Sequence, residues 1–277
     1  MSAVLDSLVR KHPEMVAAET MLRTLATALP EATLPAGVPH LGAVEARLAG
    51  GMPALEGEPL LSGGALLLNL ELLAAALEAN AGPELRAISR TLEGSLPTAA
   101  ADEFVAAAQS GSWDAIGALA ERIGLEADAV ITLVDHATRP ALRAGARTTH
   151  ELVARSRCDR GTCPACGAAP LLGEVRGGGA SGAAEQERVL RCARCLTAWP
   201  FPRLRCTSCG ETNHRQLAYI HGAGEESFRR AEVCSTCHGY LKSIAVLAPL
   251  DGYELLAVDL ATAALDVAAL ERGFHRT

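Results

Sequence analysis

The chain has 277 residues, with 32 acidic side chains against 25 Lys and Arg, a formal net charge of −7. That balance argues against a general nucleic-acid binder, whose affinity rests on neutralising phosphates. Hydrophobic residues make up 49% but aromatics only 3%, so Ala and Leu supply most of the apolar content and favour helix. The length allows two or three domains. Apolar runs such as Ala65–Leu68 and Leu72–Leu77 are cut by Asn69 and Glu71. They fall far short of the roughly 18 to 20 residues that span a bilayer, so no membrane insertion is expected. Met1 to Met15 carries Asp6, Arg10, Lys11 and Glu14 and lacks the apolar core of a secretory signal, which makes a cytoplasmic location the expectation.

From Met1 to Arg155 the pattern is helical throughout. Met15, Ala18, Met21, Leu22, Leu25 and Leu29 recur at helical spacing after Pro13-Glu14, and Pro30 ends the run. A Pro-rich loop leads to a short helix from His40 to Leu48, stopped by Gly50-Gly51. A second loop, Met52 to Gly64, precedes an apolar helix from Ala65 to Ala79. Helices are also expected from Pro83 to Gly94 and from Pro97 to Gln109, with Asp102 and Glu103 favouring the start of the latter through its dipole. Ser112 fits an N-cap for Trp113 to Ile123, closed by Gly124. The last helix of this half runs from about Glu126 towards Arg155, with Pro140 as a kink or break. On it, Asp135 and His136 read as surface or satisfied core residues rather than as catalysts.

The composition changes at Arg155-Ser156-Arg157, and four Cys-x-x-Cys pairs follow: Cys163/Cys166, Cys192/Cys195, Cys206/Cys209 and Cys234/Cys237. Two thiolates separated by two residues wrap a tight turn around one metal ion, and two such pairs complete a tetrahedral four-sulfur site. Cys163-Pro-Ala-Cys166-Gly167 is the first knuckle, its glycine freeing the backbone to turn amides back towards sulfur. Leu171 to Val175 and Glu187 to Arg191 read as strands around a Gly-rich hairpin tip. They lead into Cys192-Ala-Arg-Cys195 and Trp199. The unit repeats: Cys206-Thr-Ser-Cys209-Gly210, a strand from Gln216 to Ile220, a loop, a strand from Phe228 to Val233, then Cys234-Ser-Thr-Cys237. Within each unit the pairs are about 25 residues apart, a separation one hairpin closes. Cys163, Cys166, Cys192 and Cys195 therefore form site 1, and Cys206, Cys209, Cys234 and Cys237 site 2. An interleaved cross-brace is the alternative. Cys158, the ninth cysteine, reads as a free thiol. A final strand from Lys242 to Leu247 and a closing helix from Val258 to Arg272 complete the chain.

The fold expected is therefore α+β: an all-α helical domain (1–155), two consecutive rubredoxin-like or zinc-ribbon β modules (156–203 and 204–248), and a C-terminal helix (249–277) packing on the rest. Between Glu151 and Ser243 there are 13 Lys and Arg against 9 Asp and Glu, leaving a formal −11 for the remainder. Two tetrathiolate sites with divalent metals would bring this positive stretch to about zero, so its arginines read as compensation. Cys234-Ser-Thr-Cys237-His238 matches a c-type haem attachment pattern, but the other three pairs would then lack an even partition. A thioredoxin-like dithiol lacks its βαβ context. Sites saturated by four cysteines leave no open position for substrate or water, which speaks against an enzyme. On spacing alone, zinc and iron both fit. The classes left are a zinc-ribbon adaptor for protein or nucleic acid and an electron-transfer module.

The ordered set Cys163-Pro-Ala-Cys166-Gly-Ala-Ala-Pro170, Leu190-Arg-Cys192-Ala-Arg-Cys195 with Trp199, Arg205-Cys206-Thr-Ser-Cys209, and Glu232-Val-Cys234-Ser-Thr-Cys237-His-Gly-Tyr240-Leu241-Lys242 resembles the formate dehydrogenase accessory protein family (FdhE-type). Asp259-Leu260-Ala261-Thr262 and Leu265-Asp266 continue the likeness, which spans roughly Thr162 to Phe274. It departs from the family at Val258, where a second aspartate usually precedes Asp259. The resemblance implies a cytoplasmic, non-enzymatic maturation factor that contacts the catalytic subunit of formate dehydrogenase before export. It also implies rubredoxin-type iron at the paired cysteines, with zinc as the other candidate, and neither nucleic acid nor a small-molecule substrate as partner.

Overall fold

The computed structural model describes residues 6, 9–10, 13–80, 98–156, 158–177, 187–221 and 228–276. It divides into two compact units, Glu14–Ser156 with Ala165–Gly167, and Met1–Pro13 with Arg157–Pro164 and Ala168–Thr277. The expected helix from Pro83 to Gly94 and the Gly-rich hairpin tip lie largely or wholly outside the described residues, as does the loop from Gly222 to Ser227.

The first unit is helical. A 3-10 turn (Pro13–Met15) leads into α1 (Val16–Thr27), followed by α2 (Leu41–Ala49), α3 (Gly63–Asn80), α4 (Thr98–Ser110), α5 (Trp113–Arg122) and α6 (Ala127–Arg155). α3 buries one face, on which Leu66, Leu70, Leu73 and Leu77 are fully buried, while Leu68 on the opposite face is 56% exposed. They pack with Phe104 and Ala108 of α4, Ile116 and Ala120 of α5, and Val130, Leu133 and Ala137 of α6. α6 begins on a side-chain cap, Glu126 accepting from the backbone N–H of Asp128 (3.2 Å) and Ala129 (2.8 Å). It continues through Pro140 without a break.

Two local expectations are corrected here. Ser112 holds the N-cap position of α5 but makes no capping bond; its hydroxyl lies 2.9 Å from that of Ser110. Asp102 and Glu103 lie past the first turn of α4 and do not act on its dipole. Asp102 accepts from the backbone N–H of Gly63, at the start of α3, and Glu103 pairs with Arg122.

The second unit is built on one seven-stranded sheet among the described residues. Its strands are β1 (Leu172–Arg176), β2 (Glu187–Arg191), β3 (Ala198–Pro200), β4 (Leu217–His221), β5 (Arg229–Cys234), β6 (Gly239–Val246) and β7 (His275–Arg276), in the order β3-β2-β1-β6-β5-β4 with β7 beside β6. β1, β2 and β3 form an antiparallel meander, and β4, β5 and β6 form another. The two modules are thus copies of one pattern, joined where β1 runs parallel to β6, with Gly173 opposite Ser243.

The C-terminal segment is two helices rather than one, α7 (Gly252–Ala261) and α8 (Ala263–Leu270). Asp251 starts α7 with a reciprocal capping box with Glu254. The break falls at Thr262, whose hydroxyl donates back to the carbonyl of Val258 (2.8 Å). This splits the apolar residues between two targets. Leu255 and Val258 of α7 cover Leu172 and Ile244, whereas Leu265 and Ala269 of α8 cover Ile220, Ala231, Val233 and Tyr240.

Candidate metal centres

Each Cys-x-x-Cys pair folds as a turn, and the residue after its second cysteine has left-handed backbone: Gly167 (φ 79°), Leu196 (64°), Gly210 (76°) and His238 (56°). That conformation reverses the chain so that the first cysteine's N–H reaches the carbonyl five residues on. Cys163 N donates to Ala168 O (2.8 Å), Cys192 N to Thr197 O (3.0 Å) and Cys206 N to Glu211 O (2.8 Å). The fourth turn closes β5, where Ser235 N donates to Gln216 O (2.8 Å) and the amide of Gly239 to Cys237 Sγ (3.4 Å).

The sheet then brings the turns together in pairs. The sulfurs of Cys163, Cys166, Cys192 and Cys195 all lie within 4.8 Å of one another, and so do those of Cys206, Cys209, Cys234 and Cys237. Cys163 and Cys195 are 3.5 Å apart, and Cys206–Cys237 and Cys209–Cys234 are both 3.7 Å. A disulfide needs about 2.05 Å, whereas four sulfurs about 2.3 Å from a central ion are separated by roughly 3.8 Å. Both donor sets therefore fit a tetrahedral metal ion.

The tetrads differ in exposure. The first is buried at all four cysteines, while in the second Cys209 is exposed and Cys237 half-buried. Burial pushes the Cys206 thiol up to about 12 and raises Cys209 as well. Cys234 shifts the other way: burial works to raise it, but the amides of Cys237 and Thr236 turned towards its sulfur outweigh that effect. Cys158 joins neither tetrad.

Charged residues also support the strands beside the tetrads, and among them the sequence marked Glu232, Lys242, Asp259 and Asp266 only as part of the family likeness. Glu174 is fully buried on β1 and accepts from Arg191, from Arg176 (2.5 Å) and from Leu250 N (3.2 Å). Arg188 reaches from β2 to Glu232 of β5 at 2.5 Å. Burial pushes the pKa of its guanidinium down, and Glu232 opposes that shift. Lys242 is fully buried and bonds Asp259 (2.7 Å) and Asp266 (2.6 Å), tying α7 and α8 to β6. In the helical unit Asp135 pairs with Arg139 at 2.7 Å. Burial, with the charge of Arg139 next, pushes His136 down to about 3, which makes it a poor base.

Residues 204–277 match the family model described as FdhE, C-terminal domain. The chain is 38% identical over 122 residues to the Protein FdhE homolog of Stutzerimonas stutzeri strain A1501, covering 44% of this chain and 38% of that protein. To the Pseudomonas aeruginosa PAO1 homolog it is 38% identical over 123 residues, covering 42% and 38%. The chain thus spans about two fifths of the length of these curated relatives. The likeness in fold is wider. The crystal structure of the FdhE protein from Pseudomonas aeruginosa superposes with a TM-score of 0.70 at 27% identity, over 99% of this chain and 90% of that one. Residues 204–277 thus match the FdhE C-terminal domain, and the whole chain is similar in fold to an FdhE protein.

Proposed function

We propose that the chain is a non-enzymatic accessory factor in the maturation of formate dehydrogenase. It works in the cytoplasm and contacts the catalytic subunit before that subunit is exported. It holds one metal ion at Cys163, Cys166, Cys192 and Cys195 and a second at Cys206, Cys209, Cys234 and Cys237. The observation that carries this reading is the pair of thiol tetrads, each within 4.8 Å, in a chain whose residues 204–277 match the FdhE C-terminal domain. Iron bound there would supply a one-electron couple, and zinc would hold the same geometry without redox change; iron is favoured on family grounds. Four cysteines close each site, so its role is docking and folding rather than turnover of a small-molecule substrate. In this reading residues 1–155 form the helical domain, 156–203 and 204–248 the two metal modules, and 249–277 the helical cover.

Metal analysis and the visible spectrum of protein purified without added metal test the iron assignment. A coloured, iron-containing preparation is expected. A colourless zinc preparation that still restores formate dehydrogenase activity to a strain lacking this protein removes electron transfer from the function. Capture of the formate dehydrogenase catalytic subunit by the tagged full chain is expected as well. Capture of RNA polymerase or nucleic acid in its place would make the protein a zinc-ribbon adaptor.

A further inference from the structure

We propose that the cleft beside the second tetrad is a docking groove for an acidic, leucine-bearing peptide segment of a protein partner. It lies between the loop 201–207 and strands β4 and β5, and measures about 400 Å³ counted out to open solvent. Cys206 and Cys234 line it together with Arg188, Arg203, Arg205 and Glu232. An occupant would therefore sit directly against two members of the tetrad. The proposal names a surface for the contact proposed above, and rests on that reading only for the identity of the partner.

The loop is held in place before any partner arrives. Phe201 is buried, with its N–H donating to Arg188 O (2.9 Å). Arg188 in turn donates to the carbonyls of Pro202 and Arg205, both at 3.1 Å. The guanidinium carbons of Arg188 and Arg205 lie 5.4 Å and 5.7 Å from the centre of the Phe201 ring. At the far end, the loop backbone at Thr207 packs directly on Gly161. So held, the loop presents Leu204 at 61% exposure, an apolar side chain on a rigid support. Tyr219, 45% exposed, faces the cleft from β4 and stacks on Arg230 at 4.0 Å. A preformed cleft bordered by Leu, Tyr and Arg has the composition of an interface centre, and its ordering cost has been met in advance.

Charge selects the occupant. Three guanidiniums line the cleft against one carboxylate, and Arg188 is taken by Glu232. Arg203 makes no ion pair among the described residues, and Arg205 meets only Asp159, at 3.2 Å and 77% exposed. An exposed pair of that kind is worth little and yields to a better-placed carboxylate. A segment with Asp or Glu next to a Leu-type side chain satisfies both the two arginines and the apolar rim. The exposed Leu204 at the rim calls for an apolar side chain beside the carboxylate, which a peptide supplies and a phosphate backbone does not.

The test is a fluorescence-anisotropy titration of the metal-containing full chain with a short labelled peptide alternating Glu and Leu. Its Lys-for-Glu counterpart and a labelled single-stranded oligonucleotide serve as competing probes. The Glu/Leu peptide is expected to bind tightest. Arg203→Glu and Leu204→Asp are each expected to weaken it about tenfold or more, with metal content unchanged. Equal binding of the two peptides, preference for the oligonucleotide, or variants that keep full affinity would each overturn the proposal. If the Arg203 variant loses metal, Leu204→Asp decides alone, since that side chain projects into solvent. Failure of the wild-type chain to capture the formate dehydrogenase catalytic subunit, with the peptide still bound, would remove the partner's identity and leave the groove standing.

Discussion

At the scale of single residues, the left-handed position after each knuckle is the most informative feature of the metal modules. Two of the four are glycine, and Leu196 and His238 adopt the same backbone with a side chain, at about 1 kcal/mol or more each. At Gly210 an added Cβ would meet only the Arg205 guanidinium, at 3.7 Å, so Gly210→Ala isolates the backbone effect. It is expected to lower the stability of the metal-containing protein by about 1 kcal/mol, read from the urea midpoint. His238→Gly is expected to raise it by a similar amount, because the exposed imidazole makes only a loose contact with Phe274, 6.0 Å between ring centres. A second residue-scale prediction concerns pH. Glu58 is buried, and although burial works to raise its pKa, the bonds from His40 N and from the Arg47 and His40 side chains hold it below the usual carboxylate range. A depressed folded pKa gives stability that is complete above the unfolded carboxylate value and is lost as pH falls through the lower folded one. The thermal midpoint of the helical unit should therefore fall below roughly pH 4, and Glu58→Gln should flatten that dependence while lowering the neutral-pH midpoint.

At the scale of elements, the second module depends on a close backbone approach. An ideal Cβ on Gly161 would lie 1.7 Å from Thr207 O, which no rotamer change relieves, because both atoms are fixed by backbone. Gly161→Ala is expected to displace the third knuckle, cost about 2 to 3 kcal/mol, and reduce metal content to one ion per chain. Two ions retained at wild-type stability would show that the approach is not needed. Gly173 offers a contrast. Its added Cβ would meet Arg188 Nε and Ser243 Oγ at an ordinary 3.6 Å, so Gly173→Ala should be tolerated even though the position lies in a buried strand. The two sites look alike in sequence, and only the tertiary structure separates them. The same limit applies to the C-terminal helices. The apolar spacing from Val258 to Leu270 is continuous, and nothing local says that its two ends cover different parts of one sheet.

At the scale of the whole molecule, what was legible in the sequence is what local chemistry encodes. The knuckles, the hairpins and the helical character of the first half follow from cysteine spacing and periodicity. The parallel join of β1 to β6 was not legible, because it pairs Gly173 with Ser243 across 70 residues and depends on burying the charged Glu174 and Lys242, which no local pattern signals. That join also explains how the two units should respond to metal removal. The helical unit has one continuous core from α3 to α6, and each large side chain fully buried there contributes roughly 1.5 to 3 kcal/mol. In the sheet unit the apolar clusters under α7 and α8 are small, and its buried charges Glu174, Arg188, Arg191 and Lys242 carry desolvation costs that offset much of their attraction. Metal binding at a closed thiolate site supplies apparent free energies of about 10 to 16 kcal/mol, and in small modules that is folding energy. Chelation under reducing conditions is therefore expected to release both ions and abolish amide-exchange protection in β1, β2, β4, β5 and β6. Protection in α3 and α6 should persist, along with most of the far-ultraviolet helical signal. Loss of protection in all elements at a single chelator concentration would show that the helical core does not stand alone. Retained protection in the strands would show that the sheet, not the metal, holds the four knuckles together.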